Sequence, residues 1–234
     1  MIMIFMKTQS ENILYYNAIA NEYNDMLDKN PDRIVREKVA NKFCSIVKAA
    51  AVLDFGGGTG LDLEWLTNNN HTILFCEPSI GMREKAICNY KNLLHNKVIF
   101  LDDFAADFRQ WHLQLPFTVK VDAVLLNFAV LNCIPDIELL FQNLAIVVKP
   151  GGNMIALVLT KNLKKMLTEN FRSILKSFIH HEPATINVQY KKHHQTVYIY
   201  SIKEIIKVSK KHFNFCSSEV LPASGFTLIH LKRK

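Results

Sequence analysis

Between Ala51 and Thr160 the chain alternates short apolar runs with amphipathic segments: "AVLDF", "DLEWLT", "HTILFCE", "GMREKAICNYKNLL", "KVIFLDDF", "VDAVLLNF", "DIELLFQNLAIVV" and "GNMIALVLT". A strand with one face in water alternates polar and apolar residues. Runs of Val, Ile, Leu and Phe without that alternation need burial on both faces. Such strands, separated by helical segments, predict an α/β fold: a parallel sheet with helices on both sides.

The first of these strands runs into "GGGTG", which holds four of the eight glycines in 234 residues. One or two glycines suffice for a tight strand-to-helix turn. Four argue that a ligand approaches the backbone, where N–H groups and a helix N-terminus can meet it. The dinucleotide fingerprint G-x-G-x-x-G fails in both registers, because Leu61 and Leu63 stand where its last glycine or alanine belongs. A phosphate-binding P-loop fails too, since Gly60 is followed by Leu61 and Asp62 rather than Lys and Ser or Thr. What remains is D-x-G-x-G-x-G, with Asp54 as the acid.

On either side of this rhythm the pattern changes. From about Ser10 to Lys48 the spacing is helical, with Ile13, Tyr16, Ile19, Ala20 and Tyr23 on one face. Ile34, Val39, Phe43, Ile46 and Val47 lie on another face beyond the break at "KNPDR". After Thr160 a basic amphipathic helix is expected to about Phe178, then a hairpin from "ATINVQY" and "TVYIYS". Ser201 and Glu204 form a capping box for a helix through Lys211, and "FNFCSSEVL" with "FTLIHLKRK" reads as a closing strand pair.

Composition bounds the rest. The net charge of +7 permits anionic partners without demanding them, and its lysine-rich stretches read mainly as solvated helix faces. Five cysteines without a C-x-x-C pair suggest neither a disulfide framework nor a zinc site, and no metal is expected. The opening "MIMIFMK" is too short for a signal peptide, and no uncharged apolar run is long enough to span a membrane. The expected location is the cytoplasm.

The D-x-G-x-G-x-G motif resembles the first motif of the class I S-adenosylmethionine-dependent methyltransferases, and the resemblance extends from about Tyr16 to the C-terminus. It implies a Rossmann-like, seven-stranded, mostly parallel sheet with an N-terminal helical cover and a small cap inserted after strand five. It assigns Asp54, Gly56, Gly57, Gly58 and Gly60 to the cofactor loop. Glu77, ending "TILFCE" 17 residues beyond Gly60, takes the place of the acid that grips both ribose hydroxyls. Pro78 turns the chain, and Ile80 or Met82 is placed to cover the adenine. Asp103, or Asp102 in the other register, matches the acid that meets the adenine amino group, with Phe104 packing on the ring. Asn127 and Phe128 fall where the sheet opens toward the transferred methyl group. "KPGGNM" resembles the turn into strand five, and Tyr16 and Tyr23 match a cofactor-covering helix.

The implied cofactor is S-adenosylmethionine, leaving as S-adenosylhomocysteine, and the implied reaction is methyl transfer to N or O of a small-molecule acceptor. The expected division is a helical cover over 1–48, a cofactor core over 49–160, a cap or lid over 161–200 and a closing helix and strand pair over 201–234. No catalytic base stands out. Tyr190, His193 and His194 at the hairpin, with His180 and His181 before it, are candidates through a lid. The cytosine-C5 and exocyclic-amine motifs are absent from strand four, and Cys133 reads as a buried small residue. An RNA or protein methyltransferase docking through the lysine-rich cap is the alternative, as is a non-catalytic methyltransferase-like subunit. Nucleic acid is the less favoured partner, and either a monomer or a homodimer is compatible.

Overall fold

The computed structural model describes residues 2–27, 30–91, 97–160, 183–222 and 224–234, with side chains from residue 8 onward. The basic helix expected between Lys161 and Phe178, with His180 and His181, lies outside the described residues.

Helices α1 (Ile2–Ile19), α2 (Tyr23–Leu27) and α3 (Asn30–Ile46) precede the sheet. Pro31 sits in the first turn of α3, where its missing N–H costs no helical bond. Val35, Val39 and Phe43 form the buried stripe of α3, and Val47 continues it at the four-residue spacing of one helical face. Ile34, expected on that stripe, points to solvent instead.

Strands β1 (Ala51–Phe55), β2 (Thr72–Cys76), β3 (Val98–Phe100), β4 (Val121–Leu126) and β5 (Val148–Leu159) are mutually parallel. Helices α4 (Leu63–Asn68), α5 (Ile80–Tyr90), α6 (Asp103–Ala106) and α7 (Ile137–Val147) lie in the connections, with 3-10 turns at Phe108–Gln110 and Leu131–Cys133. The hairpin β6 (Ala184–Tyr190) and β7 (His193–Ile199) stands apart as a two-stranded sheet. Helix α8 (Ile202–Ser209) leads into β8 (Phe213–Val220) and β9 (Phe226–Arg233), and Ser201 and Glu204 close both bonds of the capping box. The main sheet has seven strands in the order β3-β2-β1-β4-β5-β9-β8, with β9 antiparallel to both its neighbours.

The unbroken apolar runs are explained by a core on each face. Leu53, Leu74, Val124 and Leu126 pack with Trp111, Phe141 and Leu144 on one side. Their chain neighbours Val52, Ile73, Phe75, Ala123 and Leu125 pack with Phe43, Leu66 and Ala86 on the other. Period-two alternation thus sends consecutive apolar residues into opposite cores. The "KPGG" segment falls inside β5 rather than ahead of it, and the β4–β5 register shifts there, as a bulge does.

Candidate active site

A cavity of about 930 Å³, including its open mouth, lies beyond the C-terminal ends of β1, β2 and β4. Connections leave β1 and β4 toward opposite sides of the sheet, so a crevice opens between them. Helices α1 to α3 contribute Tyr16, Tyr23 and Arg36 to its wall.

The glycine loop forms one side. Gly56 and Gly57 both donate to the Cys76 carbonyl, at 2.7 and 3.3 Å, folding the loop back over the end of β2. Gly57 has an ordinary backbone but no room: a Cβ there would lie 2.2 Å from the Phe75 ring. Gly58 is different. Its φ of +58° is strained for any other residue, and a Cβ would point toward Tyr23 at 3.6 Å across the cavity wall.

Glu77 closes the corner. Its Oε2 accepts from the Gly58 N–H at 2.9 Å and its Oε1 from the Ser79 N–H at 2.8 Å. Burial raises its pKa to about 7, although both backbone bonds and the Arg83 charge pull it back down. Ser79 caps α5, and Asn17 of α1 accepts from both the Ser79 hydroxyl (2.8 Å) and the Gly81 N–H (2.9 Å). The acid and the covering helix are therefore held at one corner.

Opposite lies a network that the sequence reading missed. Asp62 accepts from Arg36 (2.6 Å) and Trp65 (2.9 Å) on Oδ1 and from Asn127 (2.9 Å) on Oδ2. Asn127 Oδ1 accepts from the Phe128 N–H at 3.0 Å. Phe128 and Ala129 then take φ values of +48° and +63°, rare for residues with side chains. The Arg36 guanidinium lies 4.4 Å over the Phe128 ring, which helps to hold that turn. The only local signal was an acid beside the glycine loop. Arg36 was hidden in a helix read for its apolar stripe.

The expected residues divide clearly. Gly56, Gly57, Gly58, Glu77, Pro78, Asn127, Phe128, Tyr16 and Tyr23 all line the cavity. Burial raises the pKa of both tyrosines, so both stay protonated. Asp54 lies behind the loop, 1% exposed, with Oδ2 unpartnered, and burial and the Asp62 charge push its pKa well up. Gly60, with φ +83°, turns the chain into α4 without reaching the cavity wall.

Other expectations are corrected. Met82 is fully buried beneath α1 against Tyr15, Ile19 and Ala20, because α5 turns that face inward, and Ile80 is exposed. Asp102 spends its carboxylate on the Ala105 N–H at the start of α6. Asp103 pairs with Arg83 at the surface, and Phe104 is half exposed. Strand β3 is only three residues long, so α6 begins early and swings "DDF" outward. Ala106 and Phe108 line the cavity in their place.

Tyr190, His193 and His194 sit at the tip of the hairpin around Lys191 and Lys192, away from the cavity wall. Tyr190 donates to Glu22 at 2.6 Å and packs edge-on against Tyr15. The hairpin reaches the site through Gln195, whose Nε2 lies 2.6 Å from the Tyr16 hydroxyl. Among the described residues no cluster of His, Cys, Asp or Glu is arranged to hold a metal, and no helix is long and apolar enough to cross a membrane.

Comparison with solved structures finds this fold repeatedly. The chain is similar to the DhpI–SAM–HEP complex, with 18% identity, coverage of 97% of this chain and 98% of that one, and a TM-score of 0.72. It is similar to the N-methyltransferase NodS of Bradyrhizobium japonicum WM9 with bound S-adenosyl-l-homocysteine (12% identity, 89% and 90% coverage, TM-score 0.61). It is also similar to the 1,6-didemethyltoxoflavin-N1-methyltransferase of Burkholderia thailandensis (13% identity, 95% and 88% coverage, TM-score 0.64). Comparison with curated protein sequences yields no match. Residues 16–217, which take in the covering tyrosines, the glycine loop, Glu77 and the strands from β1 into β8, match the methyltransferase domain family, and the chain belongs to that family.

Proposed function

We propose that this methyltransferase-domain protein binds S-adenosylmethionine and transfers its methyl group to N or O of a small-molecule acceptor. The observation that carries the reading is the Glu77 corner: a buried carboxylate fixed by the Gly58 and Ser79 amides, beside a glycine that faces the cavity. Each Glu77 oxygen keeps a second lone pair, enough for the two hydroxyls of a ribose. The same groups test whether an adenosyl ligand fits, and they do. The Gly58 face leaves room for it, and Pro78, Ala106 and Phe108 supply an apolar wall near Glu77. The Cys76 thiol, one residue before Glu77, donates to the Ala106 carbonyl at 3.6 Å, which places that wall beside the acid.

When bound, the cofactor supplies a methyl group on a sulfonium, already activated for in-line displacement. The protein's part is alignment and exclusion of water. Tyr16, Tyr23 and Phe128 close the cavity over the glycine loop, and the Asp62–Arg36–Asn127 network holds the turn that carries Phe128. Among the described residues the cavity wall holds no histidine, so the hairpin histidines are not proposed as bases. Structural neighbours with small-molecule names, such as the 1,6-didemethyltoxoflavin-N1-methyltransferase, support the acceptor class. The division into cover (1–48), core (49–160), cap (161–200) and closing elements (201–234) is part of the same proposal.

The test is calorimetric titration with S-adenosylmethionine, S-adenosylhomocysteine and NAD, repeated with Glu77→Ala. Binding of the first two, absent for NAD and lost in the variant, is the expected result. Equal binding by the variant would overturn the assignment of Glu77.

A further inference from the structure

One polar cluster at the cavity wall joins three separate elements: Tyr16 of α1, Cys133 of the turn after β4, and Gln195 of β7. Its protons can be assigned one by one. The Cys133 thiol donates to the Ala129 carbonyl at 3.5 Å, so the sulfur offers lone pairs to its other neighbours. Gln195 Nε2 lies 3.2 Å from that sulfur and 2.6 Å from the Tyr16 oxygen, and supplies one hydrogen to each. The opposite amide orientation would aim a carbonyl oxygen at the sulfur's lone pairs, so Cys133 decides which end faces it. Tyr16 therefore accepts from Gln195. Its own proton is left between a weak acceptor, sulfur at 3.4 Å, and the open cavity that the ring lines.

We propose that Gln195 is a positioning residue that makes the Tyr16 hydroxyl a fixed hydrogen-bond donor to an oxyanion oxygen of the bound ligand. Gln195 is buried and off the cavity wall, so it does not touch the ligand itself and acts through Tyr16. The oxygen belongs to the amino-acid carboxylate of the cofactor or to an oxyanion on the acceptor, and the donor chemistry is the same for both. The inference rests on the adenosyl-ligand reading above and deepens it: the site expects a negatively charged oxygen opposite Tyr16. It also gives the hairpin, which lies outside the main sheet, a role in ligand choice.

Gln195→Glu keeps the shape but replaces the donor with an acceptor, which captures the Tyr16 proton. Wild type and variant are titrated with S-adenosylhomocysteine and with 5′-methylthioadenosine, which lacks the carboxylate, from about pH 6 to pH 9, where a buried carboxyl titrates. If the oxygen is the cofactor's, the variant binds S-adenosylhomocysteine about 10- to 100-fold more weakly at high pH, the loss of one hydrogen bond to a charged oxygen. Methylthioadenosine is unaffected, and the gap to wild type narrows as pH falls and the new carboxyl regains a proton to donate. If the oxygen is the acceptor's, both nucleosides bind alike. The complex of wild type with S-adenosylhomocysteine then binds acetate, benzoate or methylphosphonate, and the variant complex does not. Equal affinity of both proteins for the nucleosides and the oxyanions overturns the proposal. Should Gln195→Glu fail to fold, Tyr16→Phe removes the same proton and is expected to give the same losses, but at every pH. A wild type that binds neither nucleoside overturns the cofactor reading, and the oxyanion probes then test the donor alone.

Discussion

Glu77 carries an internal conflict: the two backbone N–H groups that hold it favour its charged form, while burial favours the neutral one and raises its pKa to about 7. A ribose diol donates to the carboxylate, so ligand binding favours ionisation. Affinity for S-adenosylhomocysteine is expected to rise about tenfold between roughly pH 6 and pH 8, as the ionised fraction grows through a pKa near 7. Calorimetry across that range checks this, and Glu77→Gln should flatten the profile. Asp54 makes the related case for stability. Its folded pKa is raised, so its contribution to stability is present below the ordinary carboxylate range and is lost as pH climbs through the folded value. Asp54→Asn is therefore expected to raise the melting temperature at alkaline pH and to change it little in acid. Gly57→Ala drives a methyl group into Phe75 and is expected to cost about 1–3 kcal/mol, read from urea midpoints.

At the level of elements, two asparagines join pieces that sheet hydrogen bonds do not. Asn12 of α1 donates to the Cys133 and Thr196 carbonyls, each at 3.1 Å, and accepts from the Thr196 N–H at 2.8 Å. Asn132 bridges β5 and β7 through the Leu159 N–H and C=O and the Tyr198 carbonyl. Removing either leaves buried backbone groups unpaired. Asn12→Ala is expected to cost about 1–3 kcal/mol. It should also raise amide hydrogen exchange in α1 and β7 well above that in β1 or β4, which mass spectrometry can read. Neither asparagine was legible beforehand, because an asparagine in a helix or turn looks the same whether it faces solvent or another strand. The hairpin itself was legible from β-branched and aromatic residues on either side of "KKHHQ". Its orientation was not: His193 and His194 stay at the tip, and the next residue, Gln195, is the one that meets Tyr16. For the same reason Tyr16 and Tyr23 could be put on one helical face, yet α1 ends at Ile19 and Tyr23 opens the separate α2, and only packing brings both rings to the cavity while Tyr15 enters the core against Met82.

Across the whole molecule, the sheet is buried by helices on both faces and the ligand cavity sits at its β1/β4 crevice. The chain's own order of residues determined the parallel sheet, the glycine loop after its first strand and the acid ending its second. Each of these is read from a pattern in a short stretch of chain: strand runs apolar on both sides, a glycine cluster where backbone conformations open to glycine are needed, and an acid at a strand end one helix and one strand further on. Only the tertiary structure decided which other groups share the cavity. Arg36, Asp62 and Asn127 come from α3, the glycine loop and the end of β4, and Tyr16, Cys133 and Gln195 from segments up to 179 residues apart. Such groupings follow from how helices dock over a sheet edge. That docking is set by the volumes and hydrogen bonds of the entire core, which no local stretch of sequence encodes.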